Sequence, residues 1–474
     1  MDKNLPSSFR DPSGFLFQRD GVLYRQVNNC YQRNYDHLMS SGFFENCTKA
    51  GMLVPHVEIP IANFPGKKDA YKIIRPDELT FISYPYEWSF SQLKDAALLT
   101  LELQKKALSY GLSLKDANAY NVQFHRGRAI FIDTLSFEVR EKNTPWIAYH
   151  QFCKHFFAPL ALMSLTDVSL GKLSQIWIDG IPLDVASKLL PRWSWFRWSI
   201  ALHIHGHAKM QLKHGNIAKT GRPAKNDLHM TTRSLLGLLE SLKSAITKFT
   251  WEPKGSEWGD YYSNTNYSDE AKSSKKTIIE DFIDNDIQPT SVWDLGANEG
   301  VFSRIASERK IFTIAFDIDP VAVERNYRQM RQSKEENLLP LLCDLSSPSP
   351  SLGWMCRERM SLPKRGPTHT AMALALIHHI VIGNNVPMSS FADFLCSLCK
   401  FLIIEFVPKS DSQVQRLLAT REDIFPDYHL AGFEKAFTGY FTTRKKVKVQ
   451  GSDRVIFLFK NKITLDDKIS TRIY

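Results

Sequence analysis

The stretch Ser291-Val292-Trp293-Asp294-Leu295-Gly296-Ala297-Asn298-Glu299-Gly300 decides the reading of this chain. An apolar run ends in an acidic residue. A glycine-punctuated turn follows, and Val301–Arg309 then has helical spacing. Glycine lets the backbone turn sharply and approach a ligand closely. The next apolar run, FTIAFDID, places Asp317 at its end, 23 residues after Asp294. A carboxylate there can accept hydrogen bonds from a ribose diol. Outward from this point, strand and helix signals alternate from about 252 to 463: helix over 272–284, helix over Pro320–Ser333 with proline in its first turn, and apolar runs LLPLLCDL, TAMALALI and FLIIEFV. The chain then ends in the hairpin TTRKKVKVQ-GSD-RVIFLFKN. Five strands alternating with helices, then a hairpin, imply a doubly wound α/β sheet.

The dinucleotide pattern G-x-G-x-x-G is not met, since Gly296-x-Asn298-x-Gly300 follows Asp294. An acidic residue at the first strand end opposes a pyrophosphate and suits a cationic ligand; S-adenosylmethionine (SAM) carries a sulfonium and an ammonium and no phosphate. DLGANEG followed by FDID resembles motifs I and II of the class I SAM-dependent methyltransferases, over about 210 residues including the terminal antiparallel hairpin. The resemblance implies a Rossmann-like sheet with Gly296, Asn298 and Gly300 around the methionyl part and Asp317 on the ribose hydroxyls. It places Asp344 at the adenine amino group, with Leu345 flanking the ring; Ile318, beside Asp317, joins this cofactor set. Around LALIHHI, NNVP and EFVPK the chain also resembles rhizobial host-specificity nodulation proteins of methyltransferase type.

LALIHHI reads as the end of the fourth strand, which puts His378 and His379 at the ligand-binding edge of the sheet. In the resembled family this position faces the methyl acceptor. The N/D-P-P-Y/F motif of amino-methylating subgroups is absent, and a histidine can deprotonate a hydroxyl. The fifth strand ends in Glu405, which binds a polar acceptor, orients a histidine, or serves equally well as a surface or structural carboxylate. Catalytic candidates are therefore His378, His379 and Glu405. Trp258, Tyr261, Tyr262 and Tyr267 are candidates to close over the site.

Residues 1–140 carry a second constellation. SGFLFQ, Arg19-Asp20-Gly21 and VLYRQV form a hairpin signal around a D-G turn. A helical stretch is expected over 31–49, strands near 71–74 and 79–84, and a long helix over 92–110. Asp116 and Asn121 have D-x-x-x-x-N spacing, and Asp133 follows 12 residues after Asn121. This resembles the catalytic loop and metal-binding aspartate of protein-kinase-like phosphotransferases, which implies a small α+β kinase-like domain and a Mg-ATP site. A Gly-rich phosphate loop, V-A-I-K and D-F-G are all missing; Arg25 is the sole candidate cation in place of the lysine. A scaffold that binds substrate or nucleotide is favoured over active phosphoryl transfer.

Residues 141–250 read as mainly helical, continuing the kinase-like lobe, with the Trp-rich piece PRWSWFRW at 191–198 and a basic linker at 209–225. The domain expectation is thus 1–140, 141–250 and a methyltransferase domain over 251–474. The linker holds five basic residues and no acidic one, and reads as a solvated connector or a phosphate contact. His203, His205 and His207, at i, i+2, i+4, do not share a helical face, so no metal is expected.

Composition bounds the rest. At roughly 100–200 residues per domain, the 474 residues allow several domains, and 43% hydrophobic with 23% charged residues excludes whole-chain disorder. Net charge is +10, a mild excess. Seven scattered cysteines suit a reducing compartment, and the lone Cys396-x-x-Cys399 is half a zinc site at most. No apolar run reaches the ~20 residues of a membrane span, and MDKNLPSSFRDPSG lacks a signal-peptide core. A cytoplasmic enzyme without membrane insertion is expected. It O-methylates a small-molecule or glycan-type acceptor held between its two halves; RNA or protein methylation, with nucleic acid possible but not favoured, and a regulatory phosphotransferase are the alternatives.

Overall fold

The computed structural model describes residues 2–207, 229–255 and 269–463. The chain divides into two compact units between Glu252 and Pro253.

In the first unit, β1 (Lys3–Asn4), β2 (Gly14–Arg19), β3 (Val22–Asn28), β4 (His56–Ile59) and β5 (Ala70–Pro76) form an antiparallel sheet in the order β1-β2-β3-β5-β4. Asp20 and Gly21 both have positive φ (53° and 80°), the conformation a two-residue hairpin turn requires. The expected helix over 31–49 is two helices, α1 (Gln32–Ser40) and α2 (Phe43–Lys49), because Gly42 adopts φ 81° between them. The long helix α3 (Phe90–Ser109) opens on a Ser89–Gln92 capping box. The strand expected at 79–84 does not form. Gln123 takes a strand partner's place there: its Oε1 accepts the Ser83 N–H at 2.9 Å and its Nε2 donates to the Ser83 carbonyl at 2.9 Å. Four short strands follow α3, namely β6 (Leu112–Leu114), β7 (Val122–His125), β8 (Arg128–Phe131) and β9 (Phe137–Val139), paired β6 with β9 and β7 with β8. The helix Thr232–Lys248 packs on α3 through Lys105–Glu240 (2.6 Å) and Lys243–Glu102 (3.4 Å).

The second unit is built on seven strands: β10 (Ser291–Leu295), β11 (Phe312–Asp317), β12 (Leu338–Leu342), β13 (Thr368–Ala373), β14 (Cys399–Phe406), β15 (Phe441–Lys448) and β16 (Val455–Asn461). Their order is β12-β11-β10-β13-β14-β16-β15; the first five are parallel, and β16 runs antiparallel to β14 and β15. Both faces are covered. On one, Val292, Met372, Ile403, Ile456 and Leu458 pack with Ile279, Phe282 and Ile305. On the other, Phe457 and Phe459 meet Phe433 and Phe437 at ring distances of 5.0 and 5.7 Å. The sheet changes direction at β10, so the crevice at its carboxyl end is the position where such sheets take ligands.

Cys396 and Cys399 are buried free thiols; Cys396 Sγ donates to Asn461 Oδ1 at 3.1 Å. Among the described residues no helix is long and apolar enough to cross a membrane.

Candidate functional site

The β10–β11 edge is a braced turn. Gly296 and Ala297 both donate their N–H groups to the Phe316 carbonyl at 2.9 Å. Gly296 has φ +77°, and a Cβ there would lie 3.1 Å from Leu376 Cδ1. Asn298 is left-handed (φ 50°), and its N–H donates to Asp317 Oδ2 at 2.7 Å. Asp317 Oδ1 accepts the Asp319 N–H at 2.9 Å. Asp294 accepts from the Ser303 hydroxyl at 2.6 Å.

These groups line a pocket of about 290 Å³. Of the residues singled out from sequence, Asp294, Gly296, Asn298, Asp317, Ile318, Asp344, Leu345 and His379 line it. Gly300, His378 and Glu405 are not on its wall. Gly300 has φ +76°, and a Cβ there would meet the Asn326 side chain at 2.5 Å. Lys272, Lys275, Phe302 and Leu376 also line the pocket, unforeseen from sequence.

Burial pushes the Asp294 carboxyl up to about 7 and Asp317 up to about 6. A carboxyl raised by folding keeps a proton that the unfolded chain has already released. The associated stability is therefore present in acid and lost as pH rises from about 4 toward 7, at up to about 1.4 kcal/mol per pH unit for each group. Asp294→Asn, which can still accept from Ser303, should remove part of this loss. In urea titrations it should be about 1–2 kcal/mol more stable than wild type at pH 8, with no advantage at pH 4. A variant weakened equally at both values would contradict the assignment.

Glu405 stands as a structural carboxylate, one of the readings open to it from sequence. It is fully buried and ion-paired to Lys275 Nζ at 2.6 Å and Arg454 at 3.5 Å. Arg454 also pairs with Asp411 at 2.7 Å. Burial lowers the Lys275 pKa, and Glu405 opposes that shift. Glu405 therefore neutralises two buried cations.

The histidines sit differently from the sequence reading. β13 ends at Ala373, and His378 precedes the π-helical turn His379–Gly383. His378 is buried, and its Nδ1 has no hydrogen-bond partner. Burial, then the neighbouring His379, drives its pKa well down. His379 faces the pocket 4.1 Å from His378 between ring centroids, and burial lowers it to about 4, so its imidazole is neutral at physiological pH.

With this geometry in hand, the chain compares with known proteins as follows. It is 33% identical to the nodulation protein NoeA of Rhizobium meliloti (strain 1021) over 456 residues, 96% of this chain and 95% of that protein. The chain belongs to the NoeA family. No family model matches it. Among solved structures, the magnesium protoporphyrin IX methyltransferase ChlM of Synechocystis PCC 6803 with bound SAH aligns at 16% identity and TM-score 0.31, over 43% of this chain and 93% of that one. The bifunctional kinase-methyltransferase WbdD aligns at 12% identity and TM-score 0.30, over 44% of this chain and 43% of that one. These likenesses are slight, and the chemistry of this NoeA relative is argued from its own residues.

In the first unit the structure does bring Asp116, Asn121 and Asp133 together, with Arg25. Asp133 Oδ1 meets Arg25 at 2.5 Å and the Leu135 N–H at 3.0 Å; its Oδ2 accepts from the Ser136 hydroxyl at 2.6 Å. Asn121 Nδ2 donates to that hydroxyl at 3.1 Å. Asp116 Oδ1 accepts from the Asn118 N–H (3.0 Å) and Gln151 (2.8 Å); burial, then the Asp133 charge, raises its pKa. A magnesium ion requires free carboxylate oxygens, and both oxygens of Asp133 are engaged here. The cluster does not fit Mg-ATP as it stands.

The histidine triplet is likewise engaged. His203 meets Tyr149 (2.7 Å) and Ser241 (3.2 Å), His205 meets Ser187 (2.6 Å) and Ser194 (2.9 Å), and His207 meets Tyr149 (3.1 Å). No metal-binding cluster occurs among the described residues. The basic run 209–225 and the aromatics Trp258, Tyr261, Tyr262 and Tyr267 lie outside the described residues.

Proposed function

We propose that the second unit is a SAM-dependent methyltransferase acting on a hydroxyl of a small-molecule or glycan-type acceptor. One observation carries this reading: three consecutive parallel strands each deliver a carboxylate, Asp294, Asp317 and Asp344, to one pocket at the sheet's switch point. Asp294 and Asp317 are buried and raised in pKa; a cationic ligand would compensate that desolvation and hold both carboxyls ionised, although Lys272 and Lys275 also line the pocket. Gly296, at φ +77°, brings the backbone of the turn close under Leu376 on the pocket wall, where a Cβ would lie 3.1 Å from Leu376 Cδ1. When bound, SAM supplies an electrophilic methyl group.

The chain's own residues do the rest. Asp317 accepts from the ribose hydroxyls, Asp344 from the adenine amino group, and Ile318 and Leu345 flank the base. Asp294 faces the cationic end of the ligand. His379, neutral and on the pocket wall, takes the proton from the acceptor hydroxyl as the new bond forms. Alignment of the two reactants supplies most of the acceleration, up to roughly 7–11 kcal/mol. The relative's name concerns nodulation, and we take this chain to serve the same process.

The test is calorimetry on the full chain. Saturable binding of SAM and of S-adenosylhomocysteine, without binding of NAD, supports the reading; heat with NAD and none with SAM overturns it. Incubation with labelled SAM and host extract then finds the acceptor fraction. On that acceptor, His379→Ala should lower the turnover rate by about 100-fold or more, with SAM affinity unchanged within about threefold. Equal loss of SAM affinity would reduce His379 to a wall residue.

A further inference from the structure

The first unit displays an apolar surface that nothing in the methyltransferase reading uses. Phe196 is 92% exposed, Trp198 77% and Trp193 47%, with Leu189 and Leu202 exposed beside them in sequence. The aromatic residues fall on the short 3₁₀ turn Arg192–Phe196 and the helical turn that follows it. This display is held in place from beneath. Ser194 is fully buried and bonds His205 Nε2 at 2.9 Å, His205 Nδ1 bonds Ser187 at 2.6 Å, and Trp195 stacks on the same imidazole at 4.1 Å. The turn is thus pinned by its polar interior while its rings face outward.

The charge beside these rings is mainly positive, with Lys188 paired to Asp184 at 3.7 Å. Lys188, Arg192 and Arg197 are exposed, and Arg197 lies over the Trp193 ring at 5.0 Å. From Val185 to His207 the sequence contains three Lys or Arg and no Asp or Glu. A protein partner is ordinarily selected by charges of both signs arranged in register. Exposed tryptophans amid mainly positive charge instead match a continuous anionic plane: the rings sit at the headgroup level and the guanidinium groups meet lipid phosphates. We propose that residues 188–202 form a peripheral docking surface for an anionic lipid bilayer, which holds the enzyme at a membrane without inserting a span. This fits the lack of a membrane-crossing helix among the described residues.

The full chain should co-sediment at low salt with vesicles containing about one-third phosphatidylglycerol, and not with phosphatidylcholine alone. Its tryptophan emission should shift to the blue on binding. Phe196→Ser/Trp198→Ser should weaken the partition at least about tenfold, and Arg192→Gln/Arg197→Gln about fivefold for each charge removed, with steep salt dependence in the wild type. Both variants alter exposed side chains and should keep the wild-type unfolding midpoint; the charge variant tests the surface even if the aromatic one misfolds. No partition onto the anionic vesicles at low salt overturns the proposal. So does partition insensitive to both variants, or a lipid-independent dimer that Phe196→Ser/Trp198→Ser abolishes, which would make the patch a contact between copies of this chain.

Discussion

Asp317→Ala should bind SAM and S-adenosylhomocysteine at least about 100-fold more weakly than the wild type. The figure follows from two losses. The first is the pair of charge-assisted hydrogen bonds to a ribose diol, at about 1.5–3 kcal/mol each. The second lies within the protein: Asp317 Oδ2 accepts the Asn298 N–H and its Oδ1 the Asp319 N–H, so alanine leaves two backbone donors unpaired and unties the turn that shapes the pocket. Asp317→Asn should fare little better. Both oxygens face backbone donors, and one arm of an amide would turn an NH₂ against an N–H. Asp344 offers a contrast. It is half-buried, and its Oδ1 accepts from the Ser346 N–H (2.9 Å) and hydroxyl (2.6 Å), a local cap rather than a brace between strands. Asp344→Ala should weaken binding by about tenfold, the equivalent of a single hydrogen bond. Calorimetric titration of the three variants reads the order directly. Wild-type affinity in Asp317→Ala would remove this pocket as the SAM site.

These contrasts explain what was legible before the fold was known. Asp294, Asp317 and Asp344 are strand-end residues, and a strand end can be read from a few neighbours in sequence. The helix Pro320–Ser333 was equally plain, because its signals are local: proline in the first turn, and Asp319 capping the Val321 N–H at 2.8 Å. What could not be read depends on distant partners. Gly300 has the same residue type and sign of φ as Gly296, yet its nearest neighbour is the Asn326 side chain on the helix Pro320–Ser333, 26 residues away in sequence. The Ser83 strand fails because a glutamine 40 residues away imitates a neighbouring strand. LALIHHI reads as a strand end because the residues before the histidines are apolar; the chain leaves the sheet at Ala373, and the same apolar residues serve a turn.

Glu405 is the sharpest case. Its pairing with Lys275 spans 130 residues, so nothing near either one in sequence announces it. The two roles for Glu405 make opposite predictions. A carboxylate that oriented a histidine or bound an acceptor would be replaced by glutamine with little effect on stability and a large loss of turnover. A carboxylate that neutralises Lys275 and Arg454 in the interior leaves buried positive charge when it is replaced. Glu405→Gln should then destabilise the second unit by about 3–5 kcal/mol, read from its chemical-denaturation midpoint. Lys275→Met, which strands Glu405 with Arg454 alone, should cost about as much. The double variant should recover about 2–3 kcal/mol of the summed loss, because Lys275 and Glu405 leave together and Arg454 retains Asp411 at 2.7 Å. Strictly additive losses would show that Lys275 and Glu405 act separately. They would also return Glu405 to the candidates for acceptor chemistry.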